Sequence, residues 1–260
     1  MAGPPETSRS RWGVVGGLRV HARSWEHRAP PGSPRVVLVH GMGVSARTLV
    51  PIGEHLANRY RVVAPDLPGF GLSDHPRDIL DVPGLANALA AWMRAYGIDR
   101  AALLGNSFGC QCIAECAVRH PDLVDRAVLQ GPTIPPWDRS AFWQLVRWRQ
   151  NSPGEPLDLL PAVLRDYRDA GIGRVLGTFR AALEDRIEEK LPRMTMPVLV
   201  VRGGKDRMCP QDWAEMVARL VPDGRLRVIP GAPHTVVFTA PLELARVVRP
   251  FLDEMRAPGP

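Results

Sequence analysis

A serine set between two glycines is the first feature of this chain that could do chemistry. The run Gly105-Asn106-Ser107-Phe108-Gly109 fits the pattern Gly-x-Ser-x-Gly and lies between an apolar stretch and a helix-like segment. On a tight strand-to-helix turn the backbone is strained, and side chains at the glycine positions would collide. Such a turn sets the serine oxygen at a helix N-terminus, where partial positive charge favours developing negative charge. Ser107 is therefore predicted to be a nucleophile, and the competing interpretation is a serine that only caps the helix.

A serine hydroxyl attacks well only after a base has taken its proton, so the chain should also supply a histidine. His234 follows the last apolar run, where the carboxyl end of a strand faces the ligand side of an α/β sheet. His234 is therefore the predicted base. Five other histidines, on the early hairpin, on helix surfaces or in mid-chain loops, are expected to be ordinary solvated side chains: His21, His27, His55, His75 and His120.

The base needs a carboxylate that accepts its second ring N–H and stabilises the imidazolium. Asp206 follows the penultimate apolar run and is the predicted partner. With it, the catalytic residues follow one another along the chain as serine, aspartate and histidine, which is the order found when such a serine turn is built on an α/β sheet. Two alternatives stay open. Asp206 could be only a turn or cap residue, and Asp138, several residues beyond the sixth strand, is a rival acid.

A glycine-flanked turn, His40-Gly41-Met42-Gly43, follows the third strand and lets backbone N–H groups face the site. The N–H groups of Met42 and Phe108 are predicted to bind the oxyanion that forms when the serine attacks a carbonyl. Only the backbone is needed there, so the Met42 side chain is expected to line the pocket, together with His40 and Gly41. His40 is expected to be structural rather than catalytic, because one base suffices.

These residues need a framework, and strand and helix patterns alternate along the chain. Segments 12–15 and 18–25 alternate about Gly16-Gly17 and predict an antiparallel hairpin. Continuous apolar runs predict six strands buried on both faces, at 35–39, 61–64, 101–104, 127–129, 198–201 and 226–229. Helices are predicted after Ser45, over 82–96, after Ser107, over 211–221 and over 241–255. The pattern predicts an α/β domain with a mainly parallel, eight-stranded sheet and helices on both faces.

One segment interrupts this alternation, because 133–196 holds three helical patterns and no strand-like run. It is predicted to be a small helical cap over the carboxyl ends of the strands, inserted after the sixth strand into a core domain formed by 1–132 and 197–260. Trp137 and Trp143 are expected to line a pocket for an apolar or aromatic group. The competing interpretation is that the aromatic side chains of this segment only pack the cap onto the core.

Composition and charge narrow the function classes. The 260 residues suit one α/β domain, and the net charge of +6 comes from scattered arginines rather than a basic stripe, so no nucleic-acid partner is expected. The four cysteines lack metal-ligand spacing and are expected to be buried, reduced thiols, as is typical of the cytoplasm.

The chain ends and the hydropathy also carry expectations. No apolar run reaches the length of about 18 residues typical of a membrane span, and the N-terminus does not resemble a signal peptide, so no membrane association is expected. The Pro/Gly-rich ends, 1–10 and 257–260, are expected to be loose. The expected partner is a small-molecule substrate, bound by a monomer or homodimer without metal or organic cofactor.

Over roughly residues 12–255 the chain resembles the α/β-hydrolase superfamily. Five motifs in the family's order carry the resemblance: His40-Gly41, Asp66-Leu67-Pro68-Gly69-Phe70-Gly71-Leu72-Ser73, Gly105-Asn106-Ser107-Phe108-Gly109, Gly203-Gly204-Lys205-Asp206 and Pro233-His234. The resemblance implies the α/β-hydrolase fold and a triad of Ser107, Asp206 and His234. The Gly-Asn-Ser run is similar to that of carbon–carbon bond hydrolases acting on ring-cleavage products. Those enzymes commonly carry Trp where this chain has Thr235.

The expected activity is hydrolysis of a carboxylic ester, thioester, lactone or activated carbon–carbon bond through an acyl-enzyme on Ser107. Two other readings of the same residues stay open because fold does not fix function. One is a non-hydrolytic enzyme, such as a lyase or cyclase of a biosynthetic pathway. The other is a small-molecule binding protein that turns over slowly.

Overall fold

The computed structural model describes residues 8–255. Its strands are β1 (Arg9–Val15), β2 (Leu18–Ser24), β3 (Arg35–Val39), β4 (Arg61–Pro65), β5 (Ala101–Asn106), β6 (Val124–Gln130), β7 (Val198–Gly203) and β8 (Gly224–Ile229). They form one sheet in the order β1-β2-β4-β3-β5-β6-β7-β8. β1 and β2 make the expected antiparallel hairpin, β2 is antiparallel to β4, and all other neighbours are parallel.

The expectation of loose chain ends can be tested only in part. Residues 1–7 and 257–260 lie outside the described residues. Arg9 and Ser10 belong to β1 and pair with Ser24 and Arg23 of β2, so for these two residues the expectation is wrong. The backbone hydrogen bonds of a hairpin order them in spite of the polar sequence.

The helices of seven residues or more lie where the apolar periodicity predicts them, whereas two four-residue helices, Ile187–Lys190 and Val236–Thr239, are not predicted as separate elements. Within residues 8–255 they are α1 (Val50–Leu56), α2 (Val82–Ala95), α3 (Phe108–Arg119), α4 (Ala141–Asn151), α5 (Leu160–Ala170), α6 (Ile172–Glu184), α7 (Ile187–Lys190), α8 (Gln211–Leu220), α9 (Val236–Thr239) and α10 (Pro241–Leu252). Ser45 caps a 3₁₀ turn, Ala46–Leu49, that leads into α1. Asp81 caps α2 by accepting from Gly84 N, and Gly97, at φ +75°, follows the end of that helix.

The sheet separates two apolar cores. Alternate residues of the central strands point to opposite faces, so Val37 and Leu103 pack on one side while Leu38 and Leu104 pack on the other. Helices α2, α3 and α8 cover the first face, and α1 and α10 cover the second. Burial on both faces explains why these strands read as continuous apolar runs.

The segment between β6 and β7, residues 131–197, carries α4 to α7 and is called the helical insertion below. It is attached to the loop that follows β3, because buried Asp166 accepts hydrogen bonds from Ser45 N at 2.8 Å and Ser45 Oγ at 2.9 Å and pairs with Arg47. It also contacts α3, where Gln111 Nε2 donates to Ala182 O at 3.1 Å. Ser45 follows β3 and Gln111 lies in the first turn of α3, which follows β5, so the insertion contacts the segments that come after the carboxyl ends of these two strands.

The apolar stripes predicted for the insertion helices are only partly buried. Large apolar side chains of α4 to α6 and of the turn before α5 remain exposed: Phe142, Trp143, Leu145, Trp148, Leu157, Leu160, Leu164, Ile172 and Leu176. The periodicity identified these helices correctly, but their apolar faces do not all rest on the core.

Candidate active site

Ser107 occupies the turn between β5 and α3 in a conformation that few non-glycine residues adopt. Its φ and ψ are +56° and −119°, and within residues 8–255 it is the one non-glycine residue with positive φ. A Cβ at Gly109 would lie 2.5 Å from Val39 O, and one at Gly105 would lie 2.8 Å from the carbonyl carbon of Gly109. The flanking glycines are therefore required by backbone packing, which is the reason that the sequence pattern is informative.

Asp206 and His234 come together in the loops that follow the neighbouring strands β7 and β8. His234 Nδ1 lies 2.8 Å from Asp206 Oδ2, and both side chains are buried. The second carboxylate oxygen, Asp206 Oδ1, accepts from Met208 N at 2.8 Å and Cys209 N at 2.9 Å. Both oxygens of the carboxylate are thus engaged, and the imidazole is held by an oriented, charged partner.

The loops that carry this pair are bound to each other by the backbone. Lys205 N donates to Ala232 O at 2.9 Å, and Gly204 N donates to Ile229 O at 2.8 Å. A Cβ at Gly203 would lie 2.1 Å from Pro233 O, so only glycine permits this approach. The close approach explains why a glycine pair precedes Asp206.

The charge state of His234 is set by two opposed effects. Burial disfavours the imidazolium, but the charge of Asp206 and its hydrogen bond outweigh burial, and Glu155 adds to them, so the pKa of His234 is raised. A raised pKa makes the imidazole a stronger base when it accepts a proton.

Two backbone N–H groups next to Ser107 donate no hydrogen bond within the part of the chain that the structure describes. Phe108 is the first residue of α3, and Met42 lies in the turn after β3; within residues 8–255 neither N–H has a hydrogen-bond acceptor. A Cβ at Gly41 would lie 3.6 Å from Ser107 Cβ, so this turn is directly beside the serine. The arrangement can hold a negatively charged oxygen formed at an atom that Ser107 attacks.

Two cavities meet at Ser107. The first, of about 350 Å³, includes Phe108, Ile134 and Phe179 in its wall. The second, of about 440 Å³, includes His234 and runs beneath α5. Met42, Ser107, Trp148 and Met208 line both, so the serine stands at the junction of two spaces whose volumes suit parts of a small molecule.

Sequence reasoning missed the side chains that connect these elements. Gln130, fully buried at the end of β6, accepts from Asn106 Nδ2 at 2.6 Å and donates to His234 O at 2.9 Å. It thereby joins the serine turn to the histidine loop. Gly131, at φ +59°, passes close to the pair: a Cβ there would lie 2.9 Å from His234 Cε1. The signal that could have found them is their place at a strand end, next to the strand that carries Ser107.

Three of the expected pocket residues do not line either cavity, which corrects the prediction. His40 is buried, where its Nδ1 meets Gly41 O at 2.8 Å and its Nε2 accepts from Leu67 N at 3.0 Å. Burial lowers the pKa of His40 despite opposing interactions, so it is a neutral, structural histidine. Trp137 packs against the ring of Trp213, at 5.9 Å between ring centroids.

The third is Trp143, which packs against Phe142, at 5.3 Å between ring centroids, and lines neither cavity. Trp148, five residues further along the same helix, takes the place in the cavity wall that was expected of Trp143. Gly41 does line the second cavity, as expected. The sequence does not predict which tryptophan of α4 borders the cavities, because the rotation of α4 about its axis depends on tertiary packing.

Two further expectations are resolved by hydrogen bonding. The rival acid Asp138 binds Arg147, whose Nε donates to its Oδ2 at 2.8 Å, whereas His234 is bound to Asp206. His21 is not solvated: it is fully buried, and its Nδ1 lies 2.8 Å from Asp66 Oδ2. The loop 66–74 covers this part of the hairpin, a long-range contact without a local sequence signal.

Comparison with known proteins fits this architecture. A family model described as alpha/beta hydrolase family matches residues 36–247. The chain therefore belongs to the alpha/beta hydrolase family.

Its curated relatives include enzymes with named activities. The 2-(acetamidomethylene)succinate hydrolase of Mesorhizobium japonicum is 24% identical over 253 residues, which cover 87% of this chain and 90% of that protein. The esterase YbfF of Escherichia coli is 24% identical over 258 residues, which cover 91% of this chain and 98% of that protein. The crystal structure of a membrane phospholipase A superposes with a TM-score of 0.80 at 24% identity, covering 95% of this chain and 86% of that one, and it supports the fold.

Within residues 8–255 no three His, Cys, Asp or Glu side chains are arranged as ligands of one metal ion. Among the same residues, no helix combines the length and apolarity needed to span a bilayer.

Proposed function

We propose that this protein is a serine hydrolase that cleaves a small, largely apolar carbonyl substrate through an acyl-enzyme on Ser107. The proposal rests on one observation, that a nucleophile, two hydrogen-bond donors and a base lie together at the wall of one cavity. Ser107, on a strained turn at a helix N-terminus, stands beside two N–H groups without acceptors, and the buried His234–Asp206 pair borders the same cavity. Family membership supports hydrolysis, and the residues supply the mechanism.

The mechanism divides into acylation and deacylation. Ser107 Oγ attacks the substrate carbonyl carbon while His234 Nε2 takes the hydroxyl proton, and Asp206 stabilises the imidazolium that results. The N–H groups of Met42 and Phe108 bind the oxyanion. His234 then gives the proton to the leaving group, and water activated by the same ring releases the acyl group.

The helical insertion is assigned the role of a cap over a core formed by 1–132 and 197–260. Its Trp148 and Phe179 border the space next to Ser107, and apolar walls exclude water from the reacting groups. The four cysteines are free and buried, which supports the expected cytoplasmic location.

The proposal is tested by hydrolysis of p-nitrophenyl esters from acetate to decanoate. We expect kcat/KM to rise from acetate toward medium chains, because added methylenes enter the apolar first cavity. Ser107→Ala and His234→Ala should abolish turnover. A flat profile or a preference for acetate would contradict an apolar acyl site, and absence of hydrolysis by folded protein would favour a lyase, a cyclase or a binding protein.

Two tryptophans of α4 provide a matched control for the cavity wall. Trp148→Ala should change the chain-length profile, because Trp148 borders both cavities. Trp143→Ala removes an equal side chain of the same helix that lines neither cavity, and it should leave the profile unchanged. Equal effects of both substitutions would show that the cavity wall has been assigned wrongly.

A further inference from the structure

The two cavities at Ser107 are distinguished by the position of the base. His234 lines the second cavity and not the first. A leaving group must come within hydrogen-bond reach of the imidazole that protonates it. If Ser107 is the nucleophile, the leaving group therefore occupies the second cavity, and the acyl group occupies the first.

The walls of the two cavities differ in the ionisable side chains that they contain. No ionisable side chain lines the first cavity. The second is lined by three, His234, Glu155 and the phenol Tyr167, and no lysine or arginine lines either cavity. A substrate carboxylate or phosphate in the second cavity would thus find no lysine or arginine in its wall and would face the carboxylate of Glu155.

Glu155 is held at this wall by the residue that follows the base. Its Oε1 accepts from Thr235 N at 3.1 Å and from Asn151 Nδ2 at 2.8 Å, and its Oε2 accepts from the Thr235 hydroxyl. A carboxylate offers about four acceptor positions, so these three donors leave capacity on Oε2. Fixed in this way, Glu155 can meet a donor carried by the leaving group without reorganising.

We propose that Glu155 determines leaving-group specificity, so that the second cavity accepts neutral or cationic leaving groups, favours those carrying an N–H or O–H donor, and rejects anionic ones. This inference rests on the proposed hydrolase function and deepens it, since it names the substrate class: esters of an apolar acid with an uncharged or amino alcohol. The selectivity arises from a repulsive element as much as an attractive one.

Three hexanoate esters of nearly equal shape test the proposal. Their alcohols are 2-(dimethylamino)ethanol, 3-methylbutanol and 3-hydroxypropanoate, which differ at the far end in carrying an ammonium, an isopropyl and a carboxylate group. At neutral pH we expect kcat/KM to fall in that order, with the neutral ester at least about tenfold better than the anionic one. Glu155→Gln should compress both ratios toward one.

Asp158→Asn is the matched control, because it removes a carboxylate three residues away that is exposed and outside both cavity linings. It should leave the ratios as in the wild type. Because each ratio compares substrates on one enzyme, a shared effect of Glu155→Gln on His234 cancels. If that variant does not fold, the wild-type ratios alone still decide.

The same preparations are labelled with a fluorophosphonate, so that failure of the two proposals can be told apart. Labelled Ser107 with equal kcat/KM for the neutral and anionic esters, or with a preference for the anion, overturns the specificity inference alone. Ser107 that is not labelled in folded protein defeats the hydrolase proposal. If none of the three esters is turned over, their protection of Ser107 from the label is compared in the same order and interpreted in the same way.

Discussion

The molecule contains two clusters that each consist of a serine, a histidine and an aspartate, and the two cavities at Ser107 border only one of them. The cavity cluster is Ser107, His234 and Asp206, and the edge cluster is Ser10, His21 and Asp66. In the edge cluster the serine Oγ lies 3.0 Å from His21 Nε2, and His21 Nδ1 lies 2.8 Å from the carboxylate. The histidine–aspartate distance in the cavity cluster is also 2.8 Å. The histidine–aspartate contact therefore does not distinguish the two clusters.

The backbone around each serine does distinguish them. Ser10 lies within β1, paired in register with Arg23, on an exposed strand at the sheet edge. Ser107 has φ +56° at the start of α3, beside N–H groups without acceptors. Nucleophilic catalysis needs a place for the developing oxyanion and for the substrate, and the strand offers neither.

The two aspartates also differ in the backbone N–H groups that they bind. Asp66 accepts from Ala46 N at 2.8 Å and Leu72 N at 3.0 Å, so its carboxylate fixes two loops against the hairpin. Burial opposes its charge, but the His21 hydrogen bond and these N–H groups outweigh burial and lower the pKa of Asp66. We interpret the edge cluster as structural, which the following substitutions can test.

The largest expected contrast is between the two histidines. His234→Ala should lower kcat/KM by about 10⁵-fold, because members of such a triad act as a unit. His21→Ala should keep the activity of the folded fraction within about threefold. Removing one partner of a buried pair costs about 3–5 kcal/mol, so its Tm should fall by roughly 10 °C. Steady-state kinetics and thermal unfolding check both, and a large loss of activity without loss of stability in His21→Ala would contradict the comparison.

Substitution of the two aspartates should likewise affect rate in the cavity cluster and stability in the edge cluster, with a smaller loss of rate than in His234→Ala. Asp206→Asn should lower kcat by about 10⁴-fold, because the amide disfavours the required tautomer of His234. Asp66→Asn places an NH₂ group against backbone donors and should lower the free energy of unfolding. Urea unfolding and esterase kinetics on both variants separate the effects; a comparable drop in kcat for Asp66→Asn would count against the structural interpretation.

A third contrast uses two glycines with positive φ. Gly131→Ala would put a Cβ 2.9 Å from His234 Cε1, and a misplacement of the base by about 1 Å can lower the rate by about 10²-fold. Gly97 has φ +75° with open space around it, so Gly97→Ala imposes similar backbone strain away from the site. It should cost stability but not kcat. Equal kcat for the two variants would remove Gly131 from the account.

The smallest expected effect is on pH dependence. The free base form of His234 is needed, and its pKa is raised, so the acidic limb of kcat/KM should lie above the usual histidine value of about 6.5. Glu155 contributes to raising the pKa, so Glu155→Gln should move the limb to lower pH. Asp158→Asn should not move it. A limb that moves upward in Glu155→Gln would contradict the sign of this interaction.

The fold and the serine turn could be predicted from the sequence because local rules determine them. Strands buried on both faces must be apolar throughout, and the approach of Gly109 to Val39 O admits no side chain. The histidine and its acid were predicted from strand ends, since parallel strands present their carboxyl ends at one edge. The sequence favours Asp206 over Asp138 because Asp138 lies several residues beyond the end of its strand, and the hydrogen bond from His234 to Asp206 agrees with that preference.

What the sequence could not predict depends on tertiary packing. The rotation of α4 decides that Trp148 rather than Trp143 borders the cavities, and periodicity does not contain that angle. The burial of His21 depends on a loop about 45 residues away along the chain. Gln130 has no motif; only the three-dimensional neighbourhood of β5, β6 and the His234 loop gives it a role.

The central claim is that Ser107, and not Ser10, is the activated nucleophile. Intact-mass analysis after fluorophosphonate labelling tests it directly on the wild type, Ser107→Ala, Ser10→Ala and His234→Ala. We expect one adduct on the wild type and on Ser10→Ala, and none on Ser107→Ala or His234→Ala. An adduct that persists in Ser107→Ala and disappears in Ser10→Ala, or no adduct on folded wild type, would contradict the account.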